Sequence, residues 1–510
     1  MEIIDSFLNR VTMYRLTLYY LIGLLVVAVV LSFFKLLFYD PLDIIISTLI
    51  IVAVSFVTNF LFAKLFNAVT NIESVFITAL IIALIIPLTY PHNLKFFIEA
   101  AVFSMGAKYL LTVNKRHLFN PAAVAVVIIS LLTNFSATWW VGTPIMLPFV
   151  VSGGLLLVRK IRRESMVINF LLVYFIIITL GSIYISGFTF SIITAWKYSI
   201  LNSALLFFTF LMLTEPMTSP ATKKLQGYYG FLVAFLYVTP QLRLISINFT
   251  PEMALCIGNI FSYIFSPNYR LELPLKWKRQ LSPDTYEFTF SPSSRVNFIP
   301  GQYMEWTLPH KNTDSRGNRR YFSLSSSPTE ENLAITVKFN NPSSSYKRKL
   351  LGLQDGEKII AASLAGDFTL SKDFIKKPLV FIAGGVGIAP FRSMAQYILD
   401  NNLTVDITLI FANRTKEDIV FSDIFESVRK NGLNTIYDLT DINNLPIGWQ
   451  GLTGHLTAES IQRSVPDYNN RTFYLSGPQL MVQNFEKILK SAGIRRKNVV
   501  KDFFPGYLEK

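Results

Sequence analysis

Three short stretches carry residue types whose spacing suits redox cofactor chemistry. The first is Arg319 to Pro328, reading RRYFSLSSSP. As a β-strand it would set Arg320, Phe322 and Leu324 on one face and Tyr321, Ser323 and Ser325 on the other. A planar guanidinium matches a diphosphate, a flat ring matches an isoalloxazine, and a hydroxyl matches the edge of that ring near N5. The second is FIAGGVGIAP, Phe381 to Pro390, a strand running into glycines and then a helix. Such glycines let backbone amides approach a dinucleotide, and the helix N-terminus favours its phosphate charge. The third is SGPQLM, Ser476 to Met481, a glycine turn at the end of a later strand. In a parallel sheet, strand ends converge on the crevice where ligands bind. A solvated edge strand and ordinary turns are the bland alternatives for each stretch taken alone.

The elements that must position these stretches fall into two compositional halves. The chain has 510 residues, 51% hydrophobic and only 16% charged. Long apolar runs dominate residues 1–266, whereas 267–510 have ordinary globular composition. A membrane-spanning helix needs roughly 20 mainly apolar residues. About ten candidate spans appear, at 15–38, 43–65, 73–90, 96–112, 120–134, 144–158, 167–187, 194–213, 228–240 and 251–266. An even count puts both termini on one side. Basic residues such as Lys64, Arg159, Lys160, Arg162 and Arg163 fall in loops on that side, against Lys95, Lys197 and Arg243 opposite. That bias makes the termini cytoplasmic and the whole a multi-pass membrane protein. From Leu271 short β-rich runs separated by turns predict an antiparallel barrel over 267–375. From Lys377 strands alternate with helices, predicting an α/β nucleotide-binding domain over 376–510.

Several function classes are excluded. The net charge of +14 is accounted for by the loop bias, and no basic, aromatic-interleaved face points to nucleic acid. Cys256 is the sole cysteine, which excludes intrachain disulfides and cysteine-ligated iron–sulfur clusters. Of the four histidines, His310 and His455 lie in the second half, and His92 and His117 are in loops. Two membrane haems need four paired axial histidines, so haem is excluded, and no other metal cluster is apparent. Glu99, Lys108 and Glu215 are charges within apolar surroundings, where the default expectation is function and the alternative is snorkelling. Trp139 and Trp140 read as interface anchors.

Residues 271–510 resemble the ferredoxin–NADP reductase-like flavin reductases in motif order. Pro300-Gly301-Gln302-Tyr303 is similar to that family's PGQY, and Arg320, Phe322, Ser323 and Ser326 to its RxYS-type motif, with Phe for the usual Tyr. Ser344-Ser345-Tyr346-Lys347 resembles its flavin-diphosphate segment, and Gly384, Gly385, Gly387 and Pro390 its GGxGxxP. Ser476, Gly477, Pro478 and Met481 resemble its CGPxxM, with Ser in place of Cys. The resemblance implies FAD held by Tyr303, Arg320, Tyr321, Phe322, Ser323, Ser326, Ser344, Ser345 and Lys347. It implies NAD(P)H held by the two glycine turns with Asn413 and Arg414. The terminal DFFPGY places Phe503 and Tyr507 near the flavin. Ser323, Ser476 and Tyr507 are then the catalytic candidates for hydride transfer from NAD(P)H to FAD. The 2′-phosphate choice falls to Asn413-Arg414, with NADH slightly favoured.

The first half resembles the RnfD/NqrB family of ten-helix, flavin-carrying membrane subunits. The matching stretches are SVFITALIIALIIP (74–87), KRHLFNPAAVAVV (115–127) and MLTEPMTSPATKKLQGYYG (212–230). The resemblance implies FMN or riboflavin among the helices, near Asn120, Pro121, Thr214, Glu215 and Thr218. That family esterifies FMN to a Thr ending D-x-x-[ST]-G-A-T. The nearest matches here are Thr138 in FSAT and Thr143 in VGTP, neither preceded by the Asp. A non-covalent flavin and a quinone stay open. The expected acceptors are an extracytoplasmic flavoprotein or a quinone; the alternative is an ion or flavin transporter served by a fused reductase.

Overall fold

Short polar side chains set where the helices of the first half begin. Asp40 accepts from the Leu42 amide, Asn120 from Ala123 and Thr250 from Met253, each followed by a proline in the first turn. The computed structural model describes all but residues 1–6, 9–10, 67, 69–70, 114–115, 134, 187–189, 240–248, 267–269, 315–316, 372 and 505–510, and the side chains at 116, 185–186, 190–191 and 503–504. The chain divides into two units, Met1–Asn268 and Tyr269–Lys510.

Among the described residues, the regular structure of the first unit is helical, apart from a short ribbon of β1 (Thr112–Val113) and β2 (Arg116–His117). Among the described residues, three helices are long and apolar enough to cross a membrane: Met13–Phe33, Pro41–Leu65 and Glu164–Tyr184. A fourth span exists if Ile192–Leu201 and Leu205–Met212, bent by 64° at a short break, count as one. The expectation of about ten full spans is therefore corrected. Ile72–Ile85, Pro121–Leu132 and Pro251–Phe265 have 14, 12 and 15 residues. At 1.5 Å per residue these reach only about 18–23 Å, short of a hydrocarbon core of about 30 Å. Apolar composition reported burial there: Ile82 to Ile86 are completely buried inside the unit. The broken pair has a π-helical segment, Phe208–Met212, just before the TEPMTSP turn.

The second unit holds two six-stranded sheets. The first comprises β3 (Arg270–Ser282), β4 (Thr285–Phe290), β5 (Tyr303–Thr307), β6 (Arg319–Ser323), β7 (Leu333–Lys338) and β8 (Lys358–Ala365). Every pairing is antiparallel, in the order β6-β5-β8-β3-β4-β7. Just past β6, a Leu324–Ile335 bridge joins the two edges and closes the sheet on itself. Strand β3 is long enough to serve both sides: 270–274 pair with β8 and 275–282 with β4. Phe288, Phe290, Trp306 and Tyr346 fill the interior, each such aromatic contributing roughly 2–3 kcal/mol.

The second sheet comprises β9 (Leu379–Gly384), β10 (Ile407–Asn413), β11 (Leu433–Leu439), β12 (Leu452–Thr453), β13 (Thr472–Pro478) and β14 (Val499–Phe504). All are parallel, in the order β12-β11-β10-β9-β13-β14. The chain runs outward from β9 to β12, then returns to the other side of β9. The strand order therefore reverses between β9 and β13, which is where such sheets bind ligands.

Candidate functional site

In the barrel, the β5–β6 register sets Tyr303 opposite Ser323, Met304 opposite Phe322 and Trp306 opposite Arg320. Arg320 donates to the carbonyls of Gly317 (3.0 Å) and Arg319 (2.7 Å), and its guanidinium lies 5.0 Å from the Tyr346 ring centre. The short helix Ser345–Leu351 starts beside it, capped by Ser344, whose hydroxyl accepts from the Lys347 amide. The Ser345 amide donates to Asp314 (2.9 Å), and the same carboxylate lies 3.7 Å from Arg320. A carboxylate thus sits between a guanidinium and a helix-opening amide, one oxygen towards each, a stand-in for phosphate oxygens, so this donor set fits a diphosphate. Burial pushes the Tyr346 phenol far up, keeping it a neutral donor to the Trp306 carbonyl (3.2 Å).

Other expected flavin contacts vary. Tyr321 is the exposed aromatic of β6; its hydroxyl donates to the buried Glu305 (2.7 Å) and its ring meets Tyr303 edge-on at 5.8 Å. Phe322 is half-buried against the barrel core, 6.1 Å from Tyr346. Ser323 is buried at the end of β6. The Ser326 hydroxyl accepts from the Ala334 amide, and Lys347 donates to the Lys338 carbonyl. The Ser325 hydroxyl is fully buried with no partner among the described residues.

At the parallel sheet, the register puts Ser476 beside Ala383, so the two glycine turns leave adjacent strands side by side. A Cβ on Gly387 would stand 2.3 Å from the Ser476 carbonyl oxygen and 2.7 Å from the Gly477 Cα, so only glycine lets the turns come this close. Gly385 has φ +49° and nothing within 4 Å of where a Cβ would lie, leaving its backbone open. Met481 packs over both Gly384 and Gly477. The helix Ala389–Asp400 opens directly after the first turn with Pro390 in its first turn. The Ser476 hydroxyl is completely buried and lacks a partner among the described residues, as do both amide atoms of Asn413 at the end of β10. Arg414 is exposed, 3.9 Å from Asp441. A crevice with amides, an open glycine and unanswered polar atoms fits a dinucleotide. Phe503 pairs through its backbone with Gly477 in β14; Tyr507 lies outside the described residues.

Motif reading missed the group that ties the two sheets together. Arg392, in the helix opened by the glycine turn, forms a two-pronged pair with Glu330 and donates to the Ser325 carbonyl (3.1 Å). Ser393 donates to the Ser326 carbonyl (2.6 Å). The strand that carries the flavin motif is thereby locked to the helix that opens the nucleotide site. An arginine on the first turn after the glycines was the only available signal.

Residues 381–487 match the family described as Oxidoreductase NAD-binding domain. The C-terminal unit thus contains an NAD-binding oxidoreductase domain and is similar to FAD/NAD-binding reductases. This reductase domain is 29% identical over 218 residues to the glycine betaine monooxygenase reductase subunit of Chromohalobacter salexigens, covering 41% of this chain and 57% of that protein. A flavohemoprotein of Rhodopirellula baltica is 29% identical over 218 residues, 41% of this chain and 53% of its own. Among solved structures, the cytochrome P450 reductase GcoB of Amycolatopsis aligns with TM-score 0.42 at 23% identity, covering 47% of this chain and 70% of that one. The chain thus spans little more than half the length of these two curated relatives.

In that first unit the candidate residues separate. Asn120 donates to Glu215 (2.8 Å), Thr218 donates to the same carboxylate (3.0 Å), and His117 lies 3.9 Å from it. Asn259 accepts from the Asn120 amide (2.9 Å) and donates to the Thr218 carbonyl and the Tyr229 hydroxyl. Pro121 is buried in the first turn of the helix that Asn120 caps. The Thr214 hydroxyl turns back onto the Phe210 carbonyl. Thr138 bonds through its amide to Ile85, and the Thr143 hydroxyl is buried with no partner among the described residues. Trp139 and Trp140, expected at an interface, are instead buried: Trp139 donates to Glu252 and Trp140 to the Ala83 carbonyl.

Proposed function

We propose that this chain is a membrane-bound NAD(P)H oxidoreductase in which the reductase domain draws electrons from NAD(P)H and the helical unit carries them onward. The observation that carries the reading is the pairing of two glycine turns at the point where the parallel strand order reverses, beside the unanswered Ser476 hydroxyl. FAD supplies the hydride acceptance and the conversion to single-electron steps. The chain's own residues bind and orient. Arg320 and the amide-bearing start of the Ser345–Leu351 helix hold the diphosphate that Asp314 now mimics. Tyr303 and Tyr321 offer ring faces, and Ser323 a hydroxyl at the end of β6. The amides after Gly384 meet the nucleotide phosphates, and Ser476 orients the nicotinamide end. Asn413 and Arg414 receive the adenosine end.

In the same reading the first unit is an RnfD/NqrB-like, multi-pass domain of a cell membrane, with the reductase domain cytoplasmic. It holds FMN or riboflavin, or passes electrons to a quinone or an extracytoplasmic flavoprotein. Support comes from the long apolar helices and from broken helix ends meeting at Glu215, since irregular backbone at membrane depth occurs where it is enclosed by protein. The ion-transporter alternative needs Glu99, Lys108 and Glu215 to act together. Glu99 instead lies 3.7 Å from Lys95, while Lys108 donates to Ser74 and feels the charge of Glu215, so only two of the three face one another.

Purification of the full chain in detergent, with flavins counted per chain before and after acid precipitation, tests this reading. One releasable FAD plus a second flavin is the expected result, and flavin retained in the pellet would direct attention to Thr138 and Thr143. One FAD alone removes the second flavin. No flavin and no NAD(P)H oxidation refute the oxidoreductase reading.

A further inference from the structure

We infer that Asp441 makes the nucleotide site discriminate against a 2′-phosphate, so that NADH is the reductant and NADPH is refused; this rests on the oxidoreductase reading above. In sheets of this kind the strand next to the phosphate-binding strand ends at the adenosine ribose. Here that strand is β10, and it ends in Asn413 and Arg414. The chain leaving β11 returns to the same place. The Thr440 amide donates to the Asn413 carbonyl (2.9 Å) and the Asp441 amide to the Arg414 carbonyl (3.1 Å), extending the pairing past both strand ends.

That extension fixes a carboxylate next to the one cation expected to receive a 2′-phosphate. Asp441 Oδ2 stands 3.9 Å from Arg414 Nε. The same carboxylate accepts from the Asn443 amide (3.3 Å) and the Asn444 side chain (2.9 Å), so it is held from behind. The Asp441 side chain is 16% exposed and that of Arg414 80%, which makes the anion the fixed member of the pair and the cation the free-swinging one. A 2′-phosphate approaching Arg414 meets, 3.9 Å from that cation, an anion that its own hydrogen bonds hold in place. A 2′-hydroxyl can donate to that anion, and the Asn413 amide at the end of β10, without a partner among the described residues, offers donors and an acceptor. Like-charge juxtaposition is the usual way a site refuses one of two near-identical ligands.

The test uses the full-length protein in detergent with ferricyanide as acceptor, comparing kcat/KM for NADH and NADPH. The expected wild-type ratio favours NADH by about 10- to 100-fold. Asp441→Asn should raise kcat/KM for NADPH about tenfold, Asp441→Glu should keep the NADH preference, and Arg414→Ala added to Asp441→Asn should abolish the gain. A variant-free check is inhibition of NADH oxidation, where ADP should outcompete adenosine 2′,5′-bisphosphate. A wild type that prefers NADPH, a ratio unmoved by Asp441→Asn, or stronger inhibition by the bisphosphate overturns the inference. Oxidation of neither nucleotide overturns instead the oxidoreductase reading beneath it.

Discussion

Two polar regions of this chain differ in how completely their groups are hydrogen-bonded. In the helical unit, Asn120, Glu215, Thr218, Asn259 and Tyr229 answer one another through hydrogen bonds of 2.8 to 3.3 Å. At the strand ends of the reductase domain, the Ser476 hydroxyl and the Asn413 amide are buried and unanswered among the described residues. An unmade hydrogen bond at a buried group costs about 1–3 kcal/mol, so it persists where a guest restores it. Apart from the buried His117 Nε2 beside Glu215, which has no hydrogen-bond partner among the described residues, the network in the helical unit is answered and holds broken helix ends together. The open one fits the proposed nucleotide, whose polar groups would answer it.

The sharpest way to break that contrast is to close the open region with a methyl group. Gly387→Ala would put a Cβ into the Ser476 carbonyl and force the two glycine turns apart. A shift of about 1 Å costs on the order of 100-fold in rate. NADH oxidation should fall by about that factor while bound FAD per chain stays unchanged; unimpaired turnover would show that the turns need no close approach. A smaller effect is expected where the two sheets are clamped. Glu330→Gln takes the countercharge from the nearly buried Arg392 and leaves it the neutral Gln and Ser325 carbonyls, a loss of about 2 kcal/mol. If the clamp sets nicotinamide against flavin, kcat should drop about tenfold with KM for NADH little changed. A rise in KM alone would make the pair a binding contact instead.

What the sequence showed and what it hid follow the same division between local and distant constraints. The glycine turns are dictated within a few residues, by a strand, a positive φ at Gly385 and a close approach at Gly387, and they were legible. The β-rich runs from LELPLKWK to EKIIAASL became β3 to β8 because period-two patterning is also local. The pairs Asp314–Ser345, Glu330–Arg392 and Arg414–Asp441 were illegible, because they exist only after strands and helices far apart in the chain have packed. Hydropathy overcounted the spans for a related reason. It measures the apolar character of Ile72–Ile85 or Pro121–Leu132 but is blind to what encloses them.

The mildest expected effect concerns a third unanswered group, one that separates a binding deficit from a purely structural one. Asp438 lies on β11 opposite Ala412, so it faces the other side of the sheet from Asn413, and neither of its oxygens has a partner among the described residues. Burial alone pushes its pKa from 3.8 to about 6. The folded state therefore binds more protons than the unfolded chain between those values, so stability falls as pH rises through that window and the whole penalty is present above it. Asp438→Asn should remove a penalty on the order of 1–2 kcal/mol after allowance for screening. Its thermal midpoint in detergent should exceed the wild type's at pH 7.5 and converge with it towards pH 4. KM for NADH should not move. If KM does move, the deficit at Asp438 belongs to the nucleotide site after all; parallel midpoints at every pH would mean that the carboxyl is not desolvated in solution.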